Sequence, residues 1–489
     1  MLRVLQDSGA FLRGLPRAYR AGCAVLFAVS ACATNVDSPA GPFGPEPPVI
    51  SDQAFLDDVQ QRTFDFFWET TNPANGMVPD RWPTESFASI AAIGFGLTAY
   101  PVGAERGWIM RAQAAERTLN TLRFFWTAQQ SDAMVTGHRG FFYHFLDMQT
   151  GRRFQTTELS TIDTGLLMMG VLFAQQYFDG ADPAEVEIRA LADSLYRRVE
   201  WDWAVVRPPE LVMAWWPESG FGDHDYDGYS EAMFLYVLAL GSPTHPIEPA
   251  SWAEFTSTNA WLPFHGQEHV NFAPLFGHQY SHIWIDFRGI LDAYMRGRGI
   301  DYFENSRRAT IAQRAYAIAN PNGWIGYGEN VWGLTASDGP GRFSASVGGR
   351  ERQFHDYWAR GAAAGDVRDD GTIVPAAAGG SIPFAPDITI AALREMQRRW
   401  GLYLYGEYGF KDSFNLTLAG VASTPRGRIV PGIGWFNDDY LGIDQGPIVL
   451  MIENHRTEFV WDVMKESPYI VRGLCRAGFT GGWIAGRCE

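Results

Sequence analysis

Four carboxylates stand next to stretches that otherwise read as core. In ELSTIDTG (Glu158 to Gly165), Glu158 and Asp163 straddle a helix start. Ser160 or Thr161 can cap that start, and the run Leu166-Leu167-Met168-Met169 behind it marks a buried helix. Free backbone N–H groups and the helix dipole favour negative charge there. Tyr229-Ser230-Glu231 opens a second apolar helix, downstream of Trp215-Trp216-Pro217-Glu218. FFYHFLDM (Phe141 to Met148) places Asp147 on a strand among aromatics. Unpaired charge is costly in a core, so acidic residues at these positions imply a polar cavity at the mouths of helices. Carboxyl groups sharing one cavity suit acid–base chemistry. Desolvation keeps one protonated as the acid, and another stays ionised as the base or nucleophile. The plainer alternative is that Glu158, Asp163 and Asp147 only decorate a first turn.

Two longer strings follow the same logic. FGHQYSHIWIDFRG (Phe276 to Gly289) gathers His278, Gln279, Tyr280, Trp284, Asp286 and Arg288. His278 and His282 have zinc-ligand spacing, but Gln279 stands where HExxH needs Glu and no third ligand is apparent, so the pair reads as packing. His278, Gln279, Tyr280 and Trp284 then read as cleft-lining, and Asp286 with Arg288 as an ion pair or sugar-hydroxyl ligands. GIDQGPIVLMIENHRT (Gly442 to Thr457) offers Asp444 and Gln445 at a helix start and Glu453, Asn454 and Arg456 near its end. For Glu453 and Arg456 a buried structural pair is an equal alternative. Trp332 and Asp338 belong to a long Gly-rich loop that is either functional or merely structural. Asp223-x-Asp225-x-Asp227-Gly228 begins like a calcium loop but has Phe234 at the twelfth position, so it reads as a turn and not as a metal site. No Walker loop, dinucleotide-binding glycine motif, serine elbow or CxxC is present, which leaves phosphoryl transfer, nucleotide redox chemistry and serine hydrolysis without motif support.

Helices must carry these residues. Apolar periodicity predicts them from Ser51 onward, then over 87–100, 108–126, 161–178, 183–199, 230–240, 281–296, 302–319, 388–399, 444–454 and 458–464, with a short hairpin over 139–154. They alternate with Gly/Pro-rich loops, and strand signals are short. The expectation is a mostly-α chain of antiparallel helix pairs, which periodicity alone does not separate from a solenoid.

The first 31 residues read as an export signal. Arg3, Arg13, Arg17 and Arg20 precede an apolar run, Ala21 to Ala31, too short to span a bilayer. Val29-Ser30-Ala31-Cys32 fits a lipoprotein cleavage box, with Cys32 lipidated and the protein held at the outer membrane from the periplasm. Residues 33–50 are Pro-rich and read as a tether, leaving 51–489 as one folded unit. Cys475 and Cys488 then remain as a disulfide that locks the tail. The chain carries −16, and removal of residues 1–31, with four Arg and one Asp, makes it −19. That charge argues against nucleic acid and says nothing against a neutral polymer. Eighteen Trp suit a cleft whose flat faces meet sugar rings, although a large core takes most of them.

Together the three strings resemble the glycoamylase-like family, which includes bacterial endo-β-1,2-glucanases (glycoside hydrolase family 144) and a domain of cyclic β-1,2-glucan synthases. The resemblance covers nearly all of residues 51–475. It implies a single (α/α)6 barrel with a cleft at one mouth, hydrolysis of linear β-1,2-glucan and no cofactor; likeness to the hydrolases implies inversion, the expectation for a free-standing exported protein, whereas likeness to the synthase domain implies retention. It points to Glu158 and Glu231 as the catalytic pair, with Asp163 and Asp147 beside them. Trp215, Trp216 and the polar residues of the later strings would bind sugar. The protein is expected to act as a monomer that meets a membrane only through its lipid anchor. A transglycosylase, an exo-acting hydrolase of short oligosaccharides and a non-catalytic glucan-binding lipoprotein are the alternatives.

Overall fold

The computed structural model describes residues 50–133 and 135–488; the signal, Cys32 and all but the last residue of the tether lie outside them. The chain is mostly helical with short strand pairs. Helices fall into two kinds. Ile90–Glu105, Thr161–Tyr177, Met233–Gly241, Tyr280–Trp284, Pro375–Gly379 and Gly442–Thr457 are buried along most or all of their length. Asp52–Thr70, Arg111–Thr127, Pro183–Arg198, Tyr302–Ala319 and Pro386–Leu404 bury only one stripe and form an outer layer.

The inner helices pack side to side. Ile90–Glu105 lies on Thr161–Tyr177, which meets Met233–Gly241, then Tyr280–Trp284, then Gly442–Thr457, which returns to Ile90–Glu105. Pro375–Gly379 packs on Gly442–Thr457 and is tied to the 280–284 helix by Gln279 Nε2 donating to Ala377 O at 2.8 Å. Glycines permit the closest approach. A Cβ on Gly94 would lie 2.2 Å from Leu166 O, and one on Gly170 would lie 2.2 Å from Gly94 O. No residue larger than glycine fits there without moving a helix.

Several inner helices start at one end of the molecule. Ser89 caps Ile90–Glu105 by accepting from Ala92 N, and Ser160 caps Thr161–Tyr177 by accepting from Asp163 N. The strands that deliver these caps pair beside them. Gly137–His138, Phe141–Tyr143, Leu159–Ser160, Ala214–Trp216 and Gly220–Phe221 form a five-stranded antiparallel sheet, with Ser160 opposite Phe142 and Ala214. Ala88–Ser89 pairs with Phe145–Leu146. The hairpin expected over 139–154 is therefore divided between two sheets.

The single helix expected over 281–296 is two, Tyr280–Trp284 and Ala293–Arg296. Asp286 Oδ1 accepts from Arg288 N, Gly289 has φ +72°, and Asp292 caps the second piece. Local hydrogen bonds to the two Asp side chains replace helix bonds across the break. At the C-terminus a disulfide joins Cys475 and Cys488.

Candidate active site

A cavity of about 150 Å³ lies at the starts of the inner helices. Glu158, Ser160 and Asp163 enter it from the 161–177 helix and its strand, and Glu231 from just before Met233–Gly241. Tyr280 and Ile443 come from the first residues of two more inner helices. Asp80, Arg81 and His144 arrive from loops and strands, while Phe87, Phe145, Phe276 and Tyr357 add aromatic faces. Arg426 reaches in from the loop after Leu418.

One wall is a chain of charge. His144 Nδ1 is 2.7 Å from Glu158 Oε1, and its Nε2 is 3.5 Å from Asp163 Oδ2. Ser160 Oγ donates to Asp163 Oδ2 at 2.5 Å. Burial pulls the imidazole pKa down, but Asp163 and Glu158 together push it up to about 9. Burial pushes Glu158 up, yet the charge and hydrogen bond of His144 hold its carboxyl below the ordinary value. Asp163 is raised, because desolvation outweighs the help of His144 and Ser160.

Glu231 is different. It is 1% exposed, and neither carboxyl oxygen has a hydrogen-bond partner. Desolvation pushes its pKa to about 7. A carboxyl that is half protonated near neutrality, beside one that is firmly ionised, is the pairing that acid–base cleavage needs.

A second acidic group lies behind this wall. Asp412 accepts from the Asp338 backbone N–H at 3.0 Å, Ser413 Oγ at 2.8 Å and Asn437 Nδ2 at 3.1 Å. Burial and then the Asp338 charge push Asp412 up to about 6. Asp444 is raised further, first by burial and then by the Asp412 charge. Asp338 is buried, and its carboxylate accepts from Arg81 Nη1 at 2.5 Å. Arg426 bridges Asp338 and Asp356 at 3.5 and 2.8 Å.

The other residues singled out in the sequence lie elsewhere. Asp147 is half-exposed and outside the cavity. Its carboxylate accepts from Gln149 N, Thr150 N and the Thr150 hydroxyl, which consumes it in a tight turn. Trp215 stacks on His138 at 4.9 Å and Trp216 follows it on the same strand; neither lines the cavity. His278 is held by Tyr229 and Phe272 O, while Gln279 links Ala377 and Ser381. Trp284 donates to Thr98 and stacks on Phe95, and Trp332 is fully buried. Asp286 and Arg288 join Glu458 and Lys465 in a separate ion network. Gln445 donates to Phe410 O, and Asn454 to Ile283 O.

Glu453 binds Gln60, Arg106 and Thr457, and Arg456 binds Gln60 and Asp57. Helix geometry accounts for these two. At about 1.5 Å per residue, Glu453 and Arg456 stand roughly 14–18 Å along the axis from Asp444. Only the first turn of such a helix reaches the cavity. Among the described residues, no cluster of three or more His, Cys, Asp or Glu could hold a metal ion.

Residues 223–468 match the family described as "Glycoamylase: Putative glucoamylase". An exo β-1,2-glucooligosaccharide sophorohydrolase (non-reducing end) from Parabacteroides distasonis is 30% identical over 87% of this chain. The chain spans 58% of that relative's length. A crystal structure of a "putative glucoamylase" from Bacteroides uniformis superposes with a TM-score of 0.77 at 33% identity, over 89% of this chain and 100% of that one. An endo-β-1,2-glucanase from Chitinophaga pinensis, in complex with sophorotriose and glucose, gives 0.75 at 28% identity, over 89% and 100%. The matched segment carries Glu231, Tyr280, Asp412 and Asp444 and covers half of the sequence: the chain belongs to the glycoamylase-like family.

Proposed function

We propose that this protein is a glycoside hydrolase that cleaves linear β-1,2-glucan, internally and with inversion, in an (α/α)6 barrel. The observation that carries the reading is Glu231. It is a buried, unpartnered carboxyl with a pKa of about 7, in the same cavity as an ionised Glu158. Glu231 donates its proton to the leaving glycosidic oxygen, and Glu158 activates the attacking water. The aromatic faces of Phe87, Phe276, Tyr280 and Tyr357 pack on sugar rings, while Arg81 and Arg426 bind hydroxyls. The chemistry uses no cofactor. The β-1,2-glucanase and sophorohydrolase relatives support the linkage.

Incubation with linear β-1,2-glucan, followed by chromatography and anomeric proton NMR, tests the reading. Oligosaccharides of several lengths, released first as the inverted anomer, are expected. Absence of release from β-1,2-glucan while another glucan is cut would overturn the linkage, and absence from all glucans would overturn the activity. The sophorohydrolase relative favours a second reading, exo action, for which a single disaccharide from the first time point is the signature. The basic leader and the Cys32 box support export and an N-terminal lipid anchor on a monomeric enzyme; incorporation of labelled fatty acid that is lost in Cys32→Ser tests the anchor.

A further inference from the structure

His144 takes no part in bond cleavage as described above, yet both of its ring nitrogens face carboxylates. Nδ1 lies 2.7 Å from Glu158 and Nε2 lies 3.5 Å from Asp163. A neutral imidazole has one N–H, so either neutral tautomer would turn a lone pair toward an anionic oxygen. With both carboxylates ionised, only the doubly protonated ring satisfies both neighbours.

The backbone fixes the ring where it stands. His144 N donates to Glu158 O at 2.9 Å, and Ile90 N, the first residue of its helix, donates to His144 O at 3.2 Å. The Phe145 ring stacks on the imidazole at 3.8 Å. Ser160 Oγ donates to the same Asp163 oxygen that faces Nε2. His144 thus ties the start of the 90–105 helix to Glu158 through its backbone and faces two carboxylates with its side chain.

We propose that His144 is the positioning residue of this centre: as an imidazolium it clamps Glu158 and Asp163 in one orientation and keeps Glu158 ionised. The assignment of Glu158 as base rests on the hydrolase reading above; the doubly protonated clamp itself does not.

The charges facing the ring come from every element around it. Glu158 immediately precedes the 159–160 strand, and Asp163 lies in the helix after it. Asp80, paired with Arg81 at 3.2 Å, faces it from the bend before the 81–82 strand. Arg153 acts on Glu158, and Glu231 senses Asp163. With His144 protonated, Glu158, Asp163 and the imidazolium would together carry −1 when both carboxylates are ionised. Without that proton the two carboxylates repel each other and each becomes easier to protonate.

The test has two arms. In the first, the protein is labelled with 15N-histidine, and the His144 signals are assigned by their loss in His144→Gln. Two protonated ring nitrogens at pH 7.5, titrating near pH 9, are expected. A ring that titrates near 6.5 or below overturns the clamp, whether or not the protein cuts glucan. The second arm compares pH–rate profiles on β-1,2-glucan. His144→Gln keeps one donor and removes the charge. The acid limb of its kcat should move up by about one pH unit or more, as expected when a carboxylate loses an adjacent cation. A loss of kcat that is uniform across pH overturns the electrostatic role. Should the variant fail to fold, selective labelling of the wild type with 15N-histidine still decides the first arm, because only one ring is held between two carboxylates. Should wild type release nothing from any glucan, the hydrolase reading falls and the first arm alone judges the clamp.

Discussion

Replacing Glu231 by Gln should stop turnover and make the fold more stable at alkaline pH. Glu231 is fully buried without a hydrogen-bond partner, and desolvation raises its pKa from 4.5 to about 7. The folded state therefore holds a proton that the unfolded chain releases above pH 4.5. Stability falls as pH rises through the window from 4.5 to 7, and the loss is complete above 7. At about 1.36 kcal/mol per pH unit, ionising the buried group costs about 3 kcal/mol in full. Roughly 2.5 kcal/mol of this develops between pH 5 and pH 8. Gln has nearly the same shape and no charge to bury. Urea unfolding of both proteins at pH 5 and pH 8 measures the effect. The variant's advantage over wild type should grow by about 2.5 kcal/mol across that interval, while kcat on β-1,2-glucan falls by about a thousandfold or more. An advantage that does not change with pH would show that Glu231 is not the desolvated acid. Retained turnover would remove it from the chemistry.

Glu158→Gln should lower kcat by a hundredfold or more and make the imidazole of His144 titrate below its wild-type pKa near 9, both readable from activity and histidine NMR. Asp147→Ala should leave kcat and KM unchanged and cost about 1 kcal/mol in urea unfolding, because the turn bonds of its carboxylate are all that is lost. Glu453→Ala should cost about 3–5 kcal/mol, since it strands Arg106 at the far end of the helix bundle, without altering KM in whatever protein folds. Asp444→Asn should flatten the decline in stability between pH 5 and pH 7.5, because it removes a buried carboxyl that the fold holds protonated and the unfolded chain does not; urea midpoints at the two pH values measure it.

The helix-mouth cavity was legible because its evidence is local. Ser160 and Asp163 stand within three residues of each other, and Glu231 abuts an apolar run, so charge against periodicity marks them. Tyr280 of the later strings lines the cavity, while most of their other polar residues lie away from it for a geometric reason. Residues that are close in sequence on a helix separate along its axis, and the polar ends of Gly442–Thr457 serve opposite ends of the molecule. The partners that complete the site had no comparable signal. Asp80 and Arg81 stand among prolines with no apolar run to mark them, and Asp412 reaches Asp444 only through the fold. His144 lay in plain view in FFYHFLDM, but its neighbour Asp147 drew attention as the carboxylate. Only the pairing of Ala88–Ser89 with Phe145–Leu146, and of Phe141–Tyr143 with Leu159–Ser160, brings the histidine to the cavity.

Gly94 and Gly170 set the gauge of the opening although neither touches it. The two helices they join begin at Ser89 and Ser160, and both serines line the cavity. A methyl group at either glycine would force the helix axes apart and spread the serines, carrying Glu158 and Asp163 with the second. The aperture offered to a sugar chain is thus calibrated from below, by backbone contact one or more turns inside the protein. Variation in aperture among proteins of this build can therefore arise from such contacts, with every residue on the cavity surface unchanged.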